Sequence, residues 1–177
     1  MKFLRRFVWY LSSRLIIICI VLTVLIIAFY YAMNMANLQV VIKDGMAKRA
    51  QVVMMNHDAA ELNKYFSASF IERDDVLNAV RDGLSPYKDY QIVGIDHRIS
   101  MSWMWCWPWE NYARADISEE IPKIDGRLKA SAVRQTADGQ SRQFPPKWQS
   151  RKYRANLVRE DGKWHIQNLQ LLSIIGE

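Results

Sequence analysis

Hydrophobic positions along this chain follow three patterns in succession: an unbroken apolar run, a helical stripe, and strand alternation. The run is Leu15–Met33, LIIICIVLTVLIIAFYYAM, and it contains no charged residue. A helix rises about 1.5 Å per residue, so roughly 20 apolar residues cross a hydrocarbon core of about 30 Å. The run therefore predicts a transmembrane helix. A cleaved secretory signal would have a shorter apolar stretch and then a small-residue cleavage site. Here the run closes on Phe29, Tyr30, Tyr31 and Met33, which points to a retained anchor.

Beyond the run, Leu38, Val41, Ile42, Gly45, Met46, Val52 and Val53 recur at helical spacing, with Lys43, Asp44, Lys48 and Gln51 between them. This predicts an amphipathic helix continuing from the span, its stripe serving as the first core helix of an outer domain. A parallel self-association seam is the other reading, but it needs unbroken a and d positions over several heptads, and Gly45 and Arg49 interrupt it. Asp58-Ala-Ala-Glu61 has capping-box spacing and opens a second helix, with Leu62, Tyr65, Phe66, Ser69 and Phe70 on one face. A third helix is expected over Asp75–Arg81, with Val76, Leu77 and Val80 inward and Gly83 as its stop.

From Tyr90 the period changes to two. Val93, Ile95, His97, Ile99, Met101, Trp103, Trp105 and Trp107 share one face of a long strand that Pro108 ends. Tyr112–Ile121 reads as the returning strand, closed by Pro122 and Asp125-Gly126, and Leu128–Gln135 reads as another. A polar loop over Ala137–Trp148 leads to the clearest hairpin. In it Tyr153, Ala155 and Leu157 alternate up to Glu160-Asp161-Gly162-Lys163, and Trp164, Ile166 and Leu169–Leu172 return.

Helices followed by antiparallel strands make an α+β order, with helices on one face of a curved sheet. That order and the closing segment YRANLVREDGKWHIQNLQLL resemble the NTF2-like superfamily over about Asp44 to Leu172. The pattern at Tyr153, Leu157, Asp161, Gly162, Lys163, Trp164 and Ile166 carries the resemblance. It implies a cone of about three helices packed on a curved antiparallel sheet. The layout of short tail, one span and outer domain is similar to membrane-anchored assembly proteins of conjugative secretion and of sporulation. The expected division is a basic tail over 1–14, a transmembrane helix over 15–33, and an extracytoplasmic domain over 34–177.

Charge sets the expected orientation. The chain has 24 Lys and Arg against 18 Asp and Glu, for a net charge of +6. Lys2, Arg5, Arg6 and Arg14 give the first 33 residues +4, and the outer part carries only +2. The positive-inside rule places the N-terminus in the cytoplasm of a single-pass cell-membrane protein. Much of the basic excess is thus a topology signal, and without a phosphate-binding stripe no nucleic-acid partner is expected. Cys19 lies in the run and Cys106 outside it, so no disulfide is expected, and the absence of CxxC or HExxH spacing gives no support for a metal or cofactor.

Two sets of residues are candidates for function. Trp103-Met-Trp-Cys-Trp-Pro-Trp109 holds four indoles in seven residues. Their shared phase favours a reading in which Trp103, Trp105 and Trp107 fill the concave core; the competing reading makes Trp107, Pro108 and Trp109 near the strand end an exposed rim that grips a protein or touches the outer leaflet. The resemblance also implies a cone mouth where a carboxylate acts as general base. Glu119, in phase with Ala113, Ala115, Ile117 and Ile121, and His97, in phase with Ile95 and Ile99, are the candidates; Asp96 lies opposite the apolar face, where solvent or a salt bridge accounts for it. No Ser-nucleophile, phosphate-loop or metal-ligand motif accompanies them. The leading expectation is a non-catalytic, membrane-anchored structural or protein-interaction module in an envelope-associated assembly. Its partners would be the bilayer and a protein or a second copy. The alternative is a small-ligand-binding or enzymatic domain using His97 and Glu119.

Overall fold

The computed structural model describes residues 2–133 and 144–176. It is an α+β architecture: one long helix, α1 (Lys2–Met55), three short helices and a four-stranded antiparallel sheet. The Arg134 and Gln135 end of the expected third strand and most of the Ala137–Trp148 loop lie outside the described residues.

The two halves of α1 have different surroundings. Leu15 through Tyr30 are all exposed, although they are nearly all apolar, whereas Leu38, Ile42, Met46 and Ala50 are fully buried. This exposed stretch is long and apolar enough to cross a membrane. The Thr23 hydroxyl within it donates to the Cys19 carbonyl at 2.8 Å, so that side chain needs no outside partner. The helix then continues without a break into the domain, where Leu38, Ile42, Met46, Ala50 and Val53 form one packed stripe. Gly45 has a specific place in this packing. A Cβ there would stand 2.9 Å from the Tyr65 Cβ, so glycine lets the following segment close against α1.

The expected second helix is two pieces. Asp58 caps a 3₁₀ segment over Ala59–Lys64 by accepting from the Ala60 N–H, but Glu61 pairs with Lys48 at 2.6 Å instead of reaching back to the cap. The chain then extends through Phe66, whose neighbours bond Ile166 on both sides, before Ser67 caps α2 (Ala68–Arg73). A continuous helix would forfeit those bonds to the sheet. The third helix, α3 (Asp75–Arg81), has the expected bounds, and Gly83, at φ +69°, ends it with the paired 3.1 and 2.8 Å bonds of a Schellman stop.

The sheet is a meander, β1 (Tyr90–Trp105), β2 (Tyr112–Leu128), β3 (Arg151–Glu160) and β4 (Lys163–Ile174), ordered as in sequence. Two expectations are corrected here. Pro122 and Asp125-Gly126 do not end β2, which runs to Leu128 because Pro122 sits in a bulge between the pairs Asp96–Lys123 and Arg98–Glu120. The segment that follows is a short helix, α4 (Ala130–Val133), and no strand. The β3–β4 hairpin turns as expected through Asp161 and Gly162, both with positive φ.

Bulges decide which side chains enter the core. Val93 bulges between Ile92 and Gly94, so Ile92 is buried and Val93 is 70% exposed, contrary to the uniform phase expected for β1. A second bulge at Ser102 separates Met101, paired with Ile117, from Trp103, paired with Asp116. From there Met104 and Cys106 face inward, and the tryptophans turn outward.

Candidate functional site

The Ser102 bulge builds the first candidate surface. Trp103, Trp105, Trp107 and Trp109 are 47%, 44%, 37% and 67% exposed, which overturns the placement of the first three in the concave core. They pack on one another along the strand instead. Trp103 and Trp105 stack with centroids 6.5 Å apart, Trp105 and Trp107 meet edge-on at 5.3 Å, and Trp107 and Trp109 stack at 5.1 Å. Such offset and edge contacts hold the rings in place while leaving their outer faces free. Pro108 is half-buried between the last two, and Tyr112, 68% exposed, extends the patch past the turn. Beneath the ladder, Cys106 is fully buried, and burial pushes its thiol pKa up against a smaller opposing effect of Arg159. Cys106 and Cys19 are both free.

The end of the sheet that carries this ladder lies beside the end of the apolar run. Arg159 N–H donates to Asn111 O at 2.8 Å, tying β3 to the β1–β2 turn. The same residue's Nη2 donates to Asn34 Oδ1 at 2.7 Å, and its guanidinium lies over the Trp164 ring at 4.4 Å. Asn34 follows Met33 directly. The opposite end of β1, at Tyr90–Ile92, lines a cleft with Val53 and Met54, so β1 runs back along α1 towards the apolar run.

The second candidate is a buried polar cluster between α1, α3 and the sheet. His97 and Glu119 are brought together: Nε2 and Oε1 are 3.0 Å apart, with side chains only 8% and 0% exposed. In the tautomer that protonates Nε2, His97 donates and the carboxylate accepts. Glu119 Oε2 has no hydrogen-bond partner among the described residues. Nearby, Arg49 Nε and Nη2 donate to Asp74 at 2.6 and 3.1 Å, with both side chains 4% exposed. Burial alone would lower the Arg49 pKa; the Asp74 hydrogen bonds and charge, with help from Glu119, outweigh it and raise it overall. Asp74 also accepts from the Val76 and Leu77 N–H groups, so one carboxylate caps α3 and neutralises a buried cation.

The Arg49–Asp74 pair was not anticipated from the sequence. Its signal was there: Arg49 falls in phase with Ile42, Met46 and Val53, and a cation on a core stripe implies a buried acid. Asp96 is exposed and pairs with Arg98 at 2.6 Å, an ordinary surface role.

Arg49, Asp74 and Tyr153 help line an open cleft of about 410 Å³, with Arg73, Arg151 and Asn168. Its walls are as much apolar as polar, since Phe70, Val76, Leu169 and Leu171 complete the lining. Neither His97 nor Glu119 lines this cleft or the three others beside Trp148, Tyr90 and Tyr112. A base must come within about 3 Å of the proton it takes, and these walls offer a substrate no such approach to the pair. Among the described residues no cluster of three or more His, Cys, Asp or Glu is placed to hold a metal ion.

No protein-family model matches the chain, and no curated protein matches it.

Proposed function

We propose that this chain is a single-pass, membrane-anchored structural module that holds a small α+β domain at a fixed position against the membrane for assembly with other proteins. One observation carries the reading: α1 is continuous from the exposed apolar run to the core stripe Leu38–Val53, so anchor and domain move as one body. A tethered enzyme needs no such coupling, and a flexible linker would serve it better. The basic residues Lys2, Arg5, Arg6 and Arg14 favour a cytoplasmic N-terminus and an extracytoplasmic domain. We read the bulged antiparallel sheet and its short helices as an NTF2-like cone, in which His97 and Glu119 act as a buried polar tie.

Photocrosslinking in native membranes tests this. Crosslinkers at Val40 and Val93, both well exposed, are expected to capture a defined protein or a second copy of the chain. Capture of nothing but lipid from both would overturn the assembly role. The enzymatic alternative makes a separate demand. If His97 and Glu119 form a working dyad, His97→Ala with Glu119→Gln abolishes turnover or metabolite binding in a domain that still folds; under the structural reading the pair changes stability and leaves the crosslinks intact.

A further inference from the structure

We propose that Trp107, Pro108 and Trp109 at the β1–β2 turn sit in the headgroup layer of the membrane that holds α1. The lipid surface, on this view, is the occupant of the exposed aromatic patch. This rests on the anchored reading above and adds a second membrane contact made by the folded domain.

Height is the first argument. The Trp107–Asn111 turn is linked to Asn34 by two hydrogen bonds in series, both through Arg159. Asn34 is the first polar residue after the apolar run, so a span that centres Leu15–Met33 in the hydrocarbon places Asn34 at the membrane surface. The headgroup region adds about 5–7 Å on each side of the core. On this placement Trp107 and Trp109 fall in that layer, while Trp103 lies further back along β1.

Chemistry is the second argument. Indole rings are enriched at the membrane–water boundary because they are apolar in body and polar at one N–H. Trp9, Tyr10, Tyr30 and Tyr31 already mark the two ends of the span in this way. The turn continues that belt at the outer end. Its charges are mixed, with Glu110, Glu160 and Asp161 exposed beside Lys163, so attraction to anionic lipid does not drive the contact.

The test uses the full chain, with Cys19→Ser and Cys106→Ala, in phosphatidylcholine vesicles. Single cysteines at Val24, Val93 and Glu110 each carry a nitroxide, and collisions with oxygen and with a water-soluble nickel chelate are measured. Val24 is expected in hydrocarbon and Val93 in water. At Glu110 nickel access is expected to fall several-fold below that at Val93, with oxygen access retained, and to change little when phosphatidylglycerol is added. If Glu110 matches Val93 while Val24 lies in hydrocarbon, the headgroup contact is wrong and the anchor stands. If Val24 is in water, the anchored reading fails first. Shielding of Glu110 from both probes means that a second copy covers the turn, and a contact appearing only with phosphatidylglycerol means that charge drives it; either overturns the proposal. Because Cys106→Ala trims a buried residue, the native chain supplies an independent readout. Lipid brominated near the headgroup should quench its fluorescence more than that of the Trp107→Phe/Trp109→Phe variant; equal quenching would refute the contact.

Discussion

Arg159 and Asn34 lie 125 residues apart in sequence and share a 2.7 Å hydrogen bond, which pins the tip of the sheet to the helix where it leaves the apolar run. Asn34→Ala removes the acceptor and leaves Arg159 with its stacking on Trp164. A bond to a charged donor contributes about 1.5–3 kcal/mol, and partial exposure places this one at the lower end. Thermal unfolding in mild detergent should show the loss, together with greater water access at Glu110. An unchanged midpoint would mean that the tip is held by packing alone.

Arg49 and Asp74 make the costliest pair to break. Asp74→Ala leaves a buried guanidinium without its counter-charge and removes the cap of α3, so a loss of about 3–5 kcal/mol is expected. Replacing both charged partners by neutral residues, Arg49→Met with Asp74→Ser to keep a cap, should recover much of it. Denaturant unfolding of the two variants would decide whether the pair stabilises the domain or only avoids the penalty of a lone buried charge.

Gly45→Ala tests the contact with Tyr65. Alanine gains about 0.5–1 kcal/mol in an exposed helix interior, but here its methyl would meet the Tyr65 Cβ at 2.9 Å. Overpacking costs about 1–3 kcal/mol, so the net effect should be destabilising. A more stable Gly45→Ala protein would show that the 3₁₀ segment yields easily.

Acid should weaken the β2–β3 pairing through Asp116. The Arg154 guanidinium, bonded to it at 2.7 and 2.8 Å, holds its carboxyl below the usual carboxylate range. A depressed folded-state pKa contributes stability above the unfolded value, near about 4, which is lost as pH falls through the lower folded value. Asp116→Asn should therefore flatten the part of the pH–stability curve below about 4 relative to the native chain. High salt should shrink the difference, since both groups are partly exposed.

Cys106 should resist thiol reagents until the domain unfolds. It is fully buried and its thiol pKa is raised, so little thiolate is available to react. Mass-detected labelling in native membranes, against a denatured control, would check this.

How much of this was legible in the sequence depended on the range of the interaction involved. The long apolar helix, the stripe Leu38–Val53, the cap at Asp58, the bounds of α3 and the Asp161-Gly162 turn all follow from neighbours a few residues apart, and each is where periodicity and turn chemistry put it. Glu119 also kept its inward phase, because no bulge separates it from Ala113, Ala115 and Ile117. The tryptophans did not keep theirs. Strand alternation assumes an unbroken register, and a single extra residue at Ser102 moves every later side chain to the other face. Pro122, read as a stop, was accommodated by another bulge for the same reason.

By itself the sequence determined the membrane-length run, its charge asymmetry and the α+β order, since composition and short-range periodicity set these. Only the tertiary structure decided that the four indoles face outward, that Arg49 finds Asp74, that His97 finds Glu119, and that Arg159 ties the aromatic turn to Asn34. Those outcomes depend on register and on contacts between residues distant in the chain, where packing selects one pairing among several that local preferences leave equal.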